Sequence, residues 1–229
     1  MTRYPPVRHV LFLSLLVLPL SQFLVYPALA PFSPHLALVA AEFVLLWALS
    51  LSVRRRRWSL EDVLLLNATS PRVLTVAAVT AAGAAVLIAQ LDLAWAELLW
   101  LVEVYVPVSL QRNLLEIQLV DDLPGLAGVA TGIVIAPGVC EEAFFRGFVL
   151  TSLAAHRSIR VGVVGSALLF AALHLNPWQL PALVLFGLFL GLLVHWTHSI
   201  YPAIVAHMTN NLLSVMGVNV RAYTGVDWL

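Results

Sequence analysis

The sequence predicts an all-α, polytopic membrane helical bundle of seven or eight helices, and three observations carry that prediction. Of the 229 residues, 61% are hydrophobic and only 10% are charged, with a mean hydropathy of +0.95. A soluble domain is about half apolar and about a quarter charged. The 12 basic and 12 acidic residues are also clustered, four of them in the run from Arg54 to Arg57, so that long stretches between clusters carry no charge. At about 20 apolar residues per crossing, the chain has room for roughly six to eight helices and little else. An ordinary soluble domain is excluded, and residues 1–229 read as a single integral membrane domain.

Taken in order, the first apolar block spans residues 10–30. Arg3 and Arg8 before it and Ala28-Leu29-Ala30 at its end imitate a secretory signal, but Pro31 after the would-be cut disfavours cleavage, and the block is long enough to remain as a crossing. Residues 35–53 and 73–91 give the second and third crossings. The arginines at 3, 8 and 54–57 flank the first two helices on one side, which by the positive-inside rule is the cytoplasm and holds the N-terminus. Asn67-Ala68-Thr69 is then an unused glycosylation match. Residues 92–120 are rich in Leu, Val and Trp yet contain Asp92, Glu97, Glu103, Arg112 and Glu116, so they form either a crossing or an interfacial amphipathic helix. A surface position brings Arg157 and Arg160 to the side of the other arginines, which the charge rule favours. Residues 126–153, 161–175, 180–196 and 200–218 complete the bundle, with Trp178, Trp196 and Tyr201 at ends where aromatic belts form.

Every basic residue is arginine, a composition that points to a GC-rich bacterial genome and hence a bacterial cell membrane. Net charge is zero, and no nucleic-acid footprint follows from it. Cys140 has no second cysteine to pair with and reads as a small core residue, since an apolar setting disfavours the thiolate.

Chemistry concentrates in three places. Glu141, Glu142 and Arg146 fall within six positions of an apolar stretch, although a charged side chain at a helix centre costs on the order of 3 kcal/mol. On a helix Glu142 and Arg146 face each other at i, i+4, whereas Glu141 points about 100° away and is left free. Pro137 removes a backbone hydrogen bond just before them and kinks the helix. His174 lies near the end of its helix with Phe170 one turn earlier; His207 and Asn211 lie one turn apart on the last helix. A buried ion pair and packing histidines would account for each place singly. Together they fit water activation. A carboxylate in an apolar pocket takes a proton from water more readily and can return it to a leaving amine, with His174 sharing the water. His207 and Asn211 are donors of the type that stabilise a developing oxyanion. Such parts perform amide hydrolysis.

These residues resemble the CAAX-processing and bacteriocin-processing intramembrane proteases, the superfamily of the type II CAAX prenyl endopeptidases. Its motifs Glu-Glu-x-x-x-Arg, Phe-x-x-x-His and His-x-x-x-Asn occur in order as Glu141, Glu142 and Arg146, then Phe170 and His174, then His207 and Asn211, over roughly residues 127–218 of a motif-bearing core at about 125–218. The resemblance implies that Glu141 and His174 activate water, that His207 and Asn211 form the oxyanion site, and that Glu142, Arg146 and Phe170 shape the pocket or contact substrate. It leaves metal-dependent and glutamic mechanisms both open. The residues themselves require no cofactor: a His-Glu-x-x-His helix is missing, and Glu and two His from three helices form a plausible, not diagnostic, zinc set. The implied partners are the lipid bilayer and a membrane-associated protein or peptide substrate, with oligomeric state open.

Other plans fit less well. Gly165-Ser166-Ala167 lacks the flanks of a serine nucleophile turn, and the aspartates at 62, 92, 121, 122 and 227 all read as lying in or beside loops. His156, His195 and His198 sit near helix ends, where solvated roles are the default. Two alternatives to a protease are a non-catalytic membrane immunity or scaffold protein and a small proton-coupled transporter. An unpaired Glu141 in lipid argues against the first, and the lack of repeat symmetry argues against the second. The protease reading requires Glu141, His174, His207 and Asn211 to converge on one cavity. Helical rise places His207 only about 10 Å from the turn at Ser199, shallower than Glu141 and His174, so tilt or an early start of the last helix is needed.

Overall fold

The computed structural model describes residues 4–226, so Arg3 and Asp227 lie outside the described residues. Counted through their internal π turns, the described residues form nine helices and no strand. They are α1 (Val7–Leu29), α2 (Pro34–Arg56), α3 (Leu60–Leu64), α4 (Pro71–Leu101), α5 (Val108–Glu116), α6 (Leu123–His156), α7 (Ile159–Leu173), α8 (Leu180–Thr197) and α9 (Tyr201–Thr224). Five segments are long and apolar enough to cross a membrane: α1, α2, α4, α6, and α8 with the 3-10 turn that leads into it. Serine side chains mark several starts. Ser33, Ser59, Ser70 and Ser158 each accept from the backbone N–H three residues on, and Pro34 and Pro71 follow two of them directly.

Nine helices replace the expected seven or eight because residues 92–120 are not one element. Residues 92–101 continue α4 to 31 residues, and α5 alone is the short surface helix. Two tethers hold the continuation. Trp95 Nε1 donates to Pro177 O at 3.0 Å, and Gln179 Nε2 donates to Asp92 Oδ2 at 3.5 Å. Asp92 therefore lies within a helix and not beside a loop, its charge turned to α8's entry. The helix stops where Glu103 enters the left-handed region at φ 60° and Pro107 follows.

Hydrogen bonds sort the connections to two ends of the bundle. Ser152 Oγ donates to Pro5 O at 2.6 Å, Ser199 Oγ to Asn67 O at 2.7 Å and Asn67 Nδ2 to His198 O at 2.6 Å. This end carries Arg8, Arg54 to Arg57, Arg72, Arg157 and Arg160, against the acids Glu61 and Asp62. At the other end His35 Nε2 donates to Ile117 O at 2.8 Å and Val120 N to Asn219 Oδ1 at 2.9 Å. Asp92, Glu97, Glu103, Glu116, Asp121 and Asp122 gather here, with only Arg112 and Arg221 to oppose them among the described residues.

The depth of His207 is settled by the chain after α3. Ile200 N donates to Leu65 O at 3.1 Å, and Ser199 and Ile200 are fully buried beneath that segment. The α8–α9 turn thus sits inside the bundle and α9, which starts at Tyr201, begins below the surface, so a sunken turn and not an early start sets the depth of His207.

Phe144, Phe145, Phe148, Phe170, Leu190 and Ile200 fill the core, and Glu142 and Arg146 are fully buried among them. At the α7–α8 crossing a Cβ on Gly187 would stand 2.9 Å from Ala167 Cα, so only glycine permits that approach. Gly187→Val should lower the thermal midpoint in detergent by an amount equivalent to about 1 to 3 kcal/mol of overpacking. Gly83→Ala in α4, where nothing lies within 4 Å of an added Cβ, should be neutral or stabilise by up to about 1 kcal/mol.

Candidate active site

The site is built on an irregular helix. In α6 the turns at Ala130–Ile135 and Ala143–Val149 are π-helical, one before Pro137 and one carrying Arg146. A proline at 137 has no N–H for the carbonyl of Ile133. Asn211 Nδ2 supplies the missing donor from α9 at 2.9 Å. Asn211 Oδ1 in turn accepts from Asn210 at 3.3 Å, leaving one amide N–H of Asn211 free of these bonds as it lines the cavity. The kink expected at Pro137 is thus a π turn, and the third motif ties it to α9.

Beneath the cavity lies a closed charge network. Arg146 Nη1 donates to Glu142 Oε1 at 2.7 Å, both side chains being wholly inaccessible. Arg146 Nη2 donates to Gly187 O at 3.2 Å, and its guanidinium carbon sits 4.4 Å from the centroid of the Phe170 ring. The ion pair, backbone carbonyl and ring face together replace the water that a buried guanidinium loses. His207 Nδ1 lies 2.8 Å from the same Glu142 oxygen. Since that oxygen already accepts from Arg146, Nδ1 carries the proton.

His174 caps the C-terminus of α7 and its Nδ1 donates to Phe170 O at 2.7 Å, which explains the spacing of the second motif. The Phe170 ring separates this imidazole, 4.4 Å away, from Arg146. Both histidines have spent Nδ1–H, so as neutral rings both present a bare Nε2. Those atoms stand 4.0 Å (His174) and 3.9 Å (His207) from Glu141 Oε2, itself buried without a hydrogen-bond partner. Three lone-pair acceptors around a gap of this size lack a donor, and a water molecule bridging at about 2.8 Å supplies two. Tetrahedral zinc, at about 2.0 to 2.2 Å from each ligand, needs the donors closer together. Among the described residues no three His, Cys, Asp or Glu side chains have metal-holding spacing.

Glu141, His174, His207 and Asn211 all line one cavity of about 700 Å³, with Phe145, Phe170 and Phe186 in its apolar wall. It runs from the buried centre toward the acidic end, where Asn113, Gln118, Asn176 and Gln179 rim it. Two lining residues were not singled out in the sequence. Phe186 packs edge-on against His207 with ring centroids 5.3 Å apart. Glu42 of α2 brings its carboxyl against that of Glu141 on the same cavity wall. Its signal was present, since no other Asp, Glu or Arg occurs between residues 35 and 53. Ser166, by contrast, donates to Phe145 O at 2.8 Å and is a helix-packing group. Cys140 is buried.

A helical bundle with five apolar helices of crossing length, which buries this Glu–His cluster beside a wide cavity, is an integral membrane protein. Residues 124–213, from the start of α6 into α9, match the family described as type II CAAX prenyl endopeptidase Rce1-like. All three motifs fall inside the match. No curated protein and no solved structure is significantly similar to the chain.

Arg146→Ala removes the cation from Glu142 and should destabilise the fold by about 3 to 5 kcal/mol, read as a lower thermal midpoint in detergent. Glu142→Gln combined with Arg146→Met should cost less than Arg146→Ala alone, because no unpaired charge remains buried.

Proposed function

We propose that the protein is an intramembrane endopeptidase of a bacterial cell membrane that hydrolyses a peptide bond of a membrane-associated protein or peptide by Glu/His water activation. The observation that carries the reading is the convergence of three proton acceptors, Glu141 Oε2 and the Nε2 atoms of His174 and His207, on one water-sized gap at the cavity floor. A water held there gives one proton to Glu141 while His174 accepts a hydrogen bond from the other, and the water oxygen bonds to the scissile carbonyl carbon. The oxyanion takes a hydrogen bond from the free amide N–H of Asn211. Because its Nδ1–H is committed to Glu142, His207 keeps Nε2 as an acceptor that helps to hold the water. Collapse of the intermediate breaks the C–N bond, and the leaving amine takes the proton from Glu141. Water and one amide become an acid and an amine, with no metal in any step.

The charge distribution supports an orientation. Eight described arginines at the Pro5 end against two at the other support a cytoplasmic N-terminus. The cavity then opens toward the outer surface, which suits a substrate that has been inserted or exported. Asn176→Cys at the rim should react with an impermeant maleimide added to intact cells, and Ser59→Cys only after lysis; the reverse pattern overturns the orientation.

The activity is tested with an internally quenched peptide bearing a prenylated CAAX tail, the substrate class in the family description. Glu141→Gln cannot accept the proton and should reduce turnover roughly a hundredfold or more. His207→Ala and Asn211→Ala should lower kcat more than they raise KM. Complete cellular function in Glu141→Gln would replace the protease reading with the scaffold one. Dialysis against a strong zinc chelator should leave turnover unchanged, and a loss restored by zinc alone would assign the centre to a metal.

A further inference from the structure

Glu42 lies outside the segment that matches the family, yet it is buried on the cavity wall, 8% exposed, midway along α2. A membrane-buried carboxylate ordinarily pairs with a cation or a row of donors. Among the described residues Glu42 has neither: its carboxyl meets that of Glu141, and its Oε2 has no hydrogen-bond partner. Two carboxylates in contact away from water repel unless a proton lies between them, as in the carboxyl dyads of acid proteases. We infer that Glu42 is the second carboxyl of this site, sharing one proton with Glu141 and holding that residue in the position from which it meets the water.

The proton and the charge have assigned places. The negative charge of the pair is assigned to Glu141, the member that faces the imidazoles of His174 and His207 at 4.0 and 3.9 Å. Glu42 is then the neutral acid and donates its O–H to Glu141. It keeps that proton through the cycle: water's proton goes to Glu141 and leaves with the amine, so Glu42 is a positioning residue. The titratable or charged groups around the pair are Cys140 and, one layer deeper, Glu142 and Arg146 of α6, Tyr26 of α1, His174 at the end of α7 and His207 of α9. The side-chain contact of Glu42 is with Glu141. The arrangement couples α2 to a catalytic centre otherwise built from α6 to α9.

The inference rests on the protease reading for its consequence and on the carboxyl contact for its existence, so two readouts are needed. The first is activity of the full-length protein in detergent on the quenched prenylated peptide. Glu42→Gln keeps a donor to Glu141 and should retain turnover within about threefold, whereas Glu42→Leu keeps bulk without the donor and should lose about 10- to 100-fold, as expected for a lost hydrogen bond to a charged group. Equal thermal midpoints for the two variants separate this from misfolding. The second readout is infrared and needs no substrate: wild type minus Glu42→Gln at neutral pH should show the C=O band of a protonated carboxyl. Absence of that band overturns the shared proton. Full activity in Glu42→Leu, or loss in Glu42→Gln as deep as in Glu141→Gln, overturns the positioning role. A wild-type protein that shows the band yet cleaves no peptide sinks the protease reading and leaves the carboxyl pair established.

Discussion

A fully buried arginine holds this structure in place. Arg146 has no water to hydrate it, so a carboxylate, a backbone carbonyl and an aromatic face must stand in for solvent, and they come from three helices: Glu142 on α6, Gly187 on α8 and Phe170 on α7. Failure to meet that need costs several kcal/mol, comparable with the whole margin of stability of a domain. Much else follows from it. Gly187 is small so that α8 can approach α7, Phe170 is aromatic and placed one turn before His174, and Glu142 keeps an oxygen turned to α9, where His207 finds it.

The same network decides what the histidines can do. Nδ1 of His207 is bound to Glu142 and Nδ1 of His174 to the Phe170 carbonyl, which fixes both tautomers and turns both Nε2 atoms toward Glu141. Orientation of a ring through its far nitrogen is a general way to set imidazole basicity and direction. The second glutamate of the motif is therefore not a spare copy of the first. Glu142 lies below the cavity, organising charge, while Glu141 faces the cavity with its Oε2 left without a hydrogen-bond partner.

Departures from regular helix are concentrated in α6. A π turn shifts the facing of side chains by a fraction of a turn and is common at functional sites. Pro137 leaves the Ile133 carbonyl needing a donor, which Asn211 provides across the bundle. A backbone defect and a motif side chain thus complete each other, and the helix bearing Glu141 is pinned to the helix bearing His207.

Much of this was legible in the sequence because the bilayer restricts what a chain can do. With no water to satisfy backbone groups, apolar stretches of crossing length must be helices, and the class of fold followed from composition. Charged and imidazole side chains in such stretches are costly enough to mark a site, so Glu141, Glu142, Arg146, His174, His207 and Asn211 could be named from spacing alone. Glu42 carried the same mark but had no motif beside it and was passed over. Where α4 ends was not legible, because Asp92 reads as a break until Gln179, 87 residues away, is seen to engage it. Neither was the depth of His207, which depends on Leu65 covering the α8–α9 turn, nor the pairing of Glu42 with Glu141. Local pattern determined which residues are costly to bury; only packing between helices distant in sequence decided which partners relieve that cost, and those partners assign each residue its chemistry.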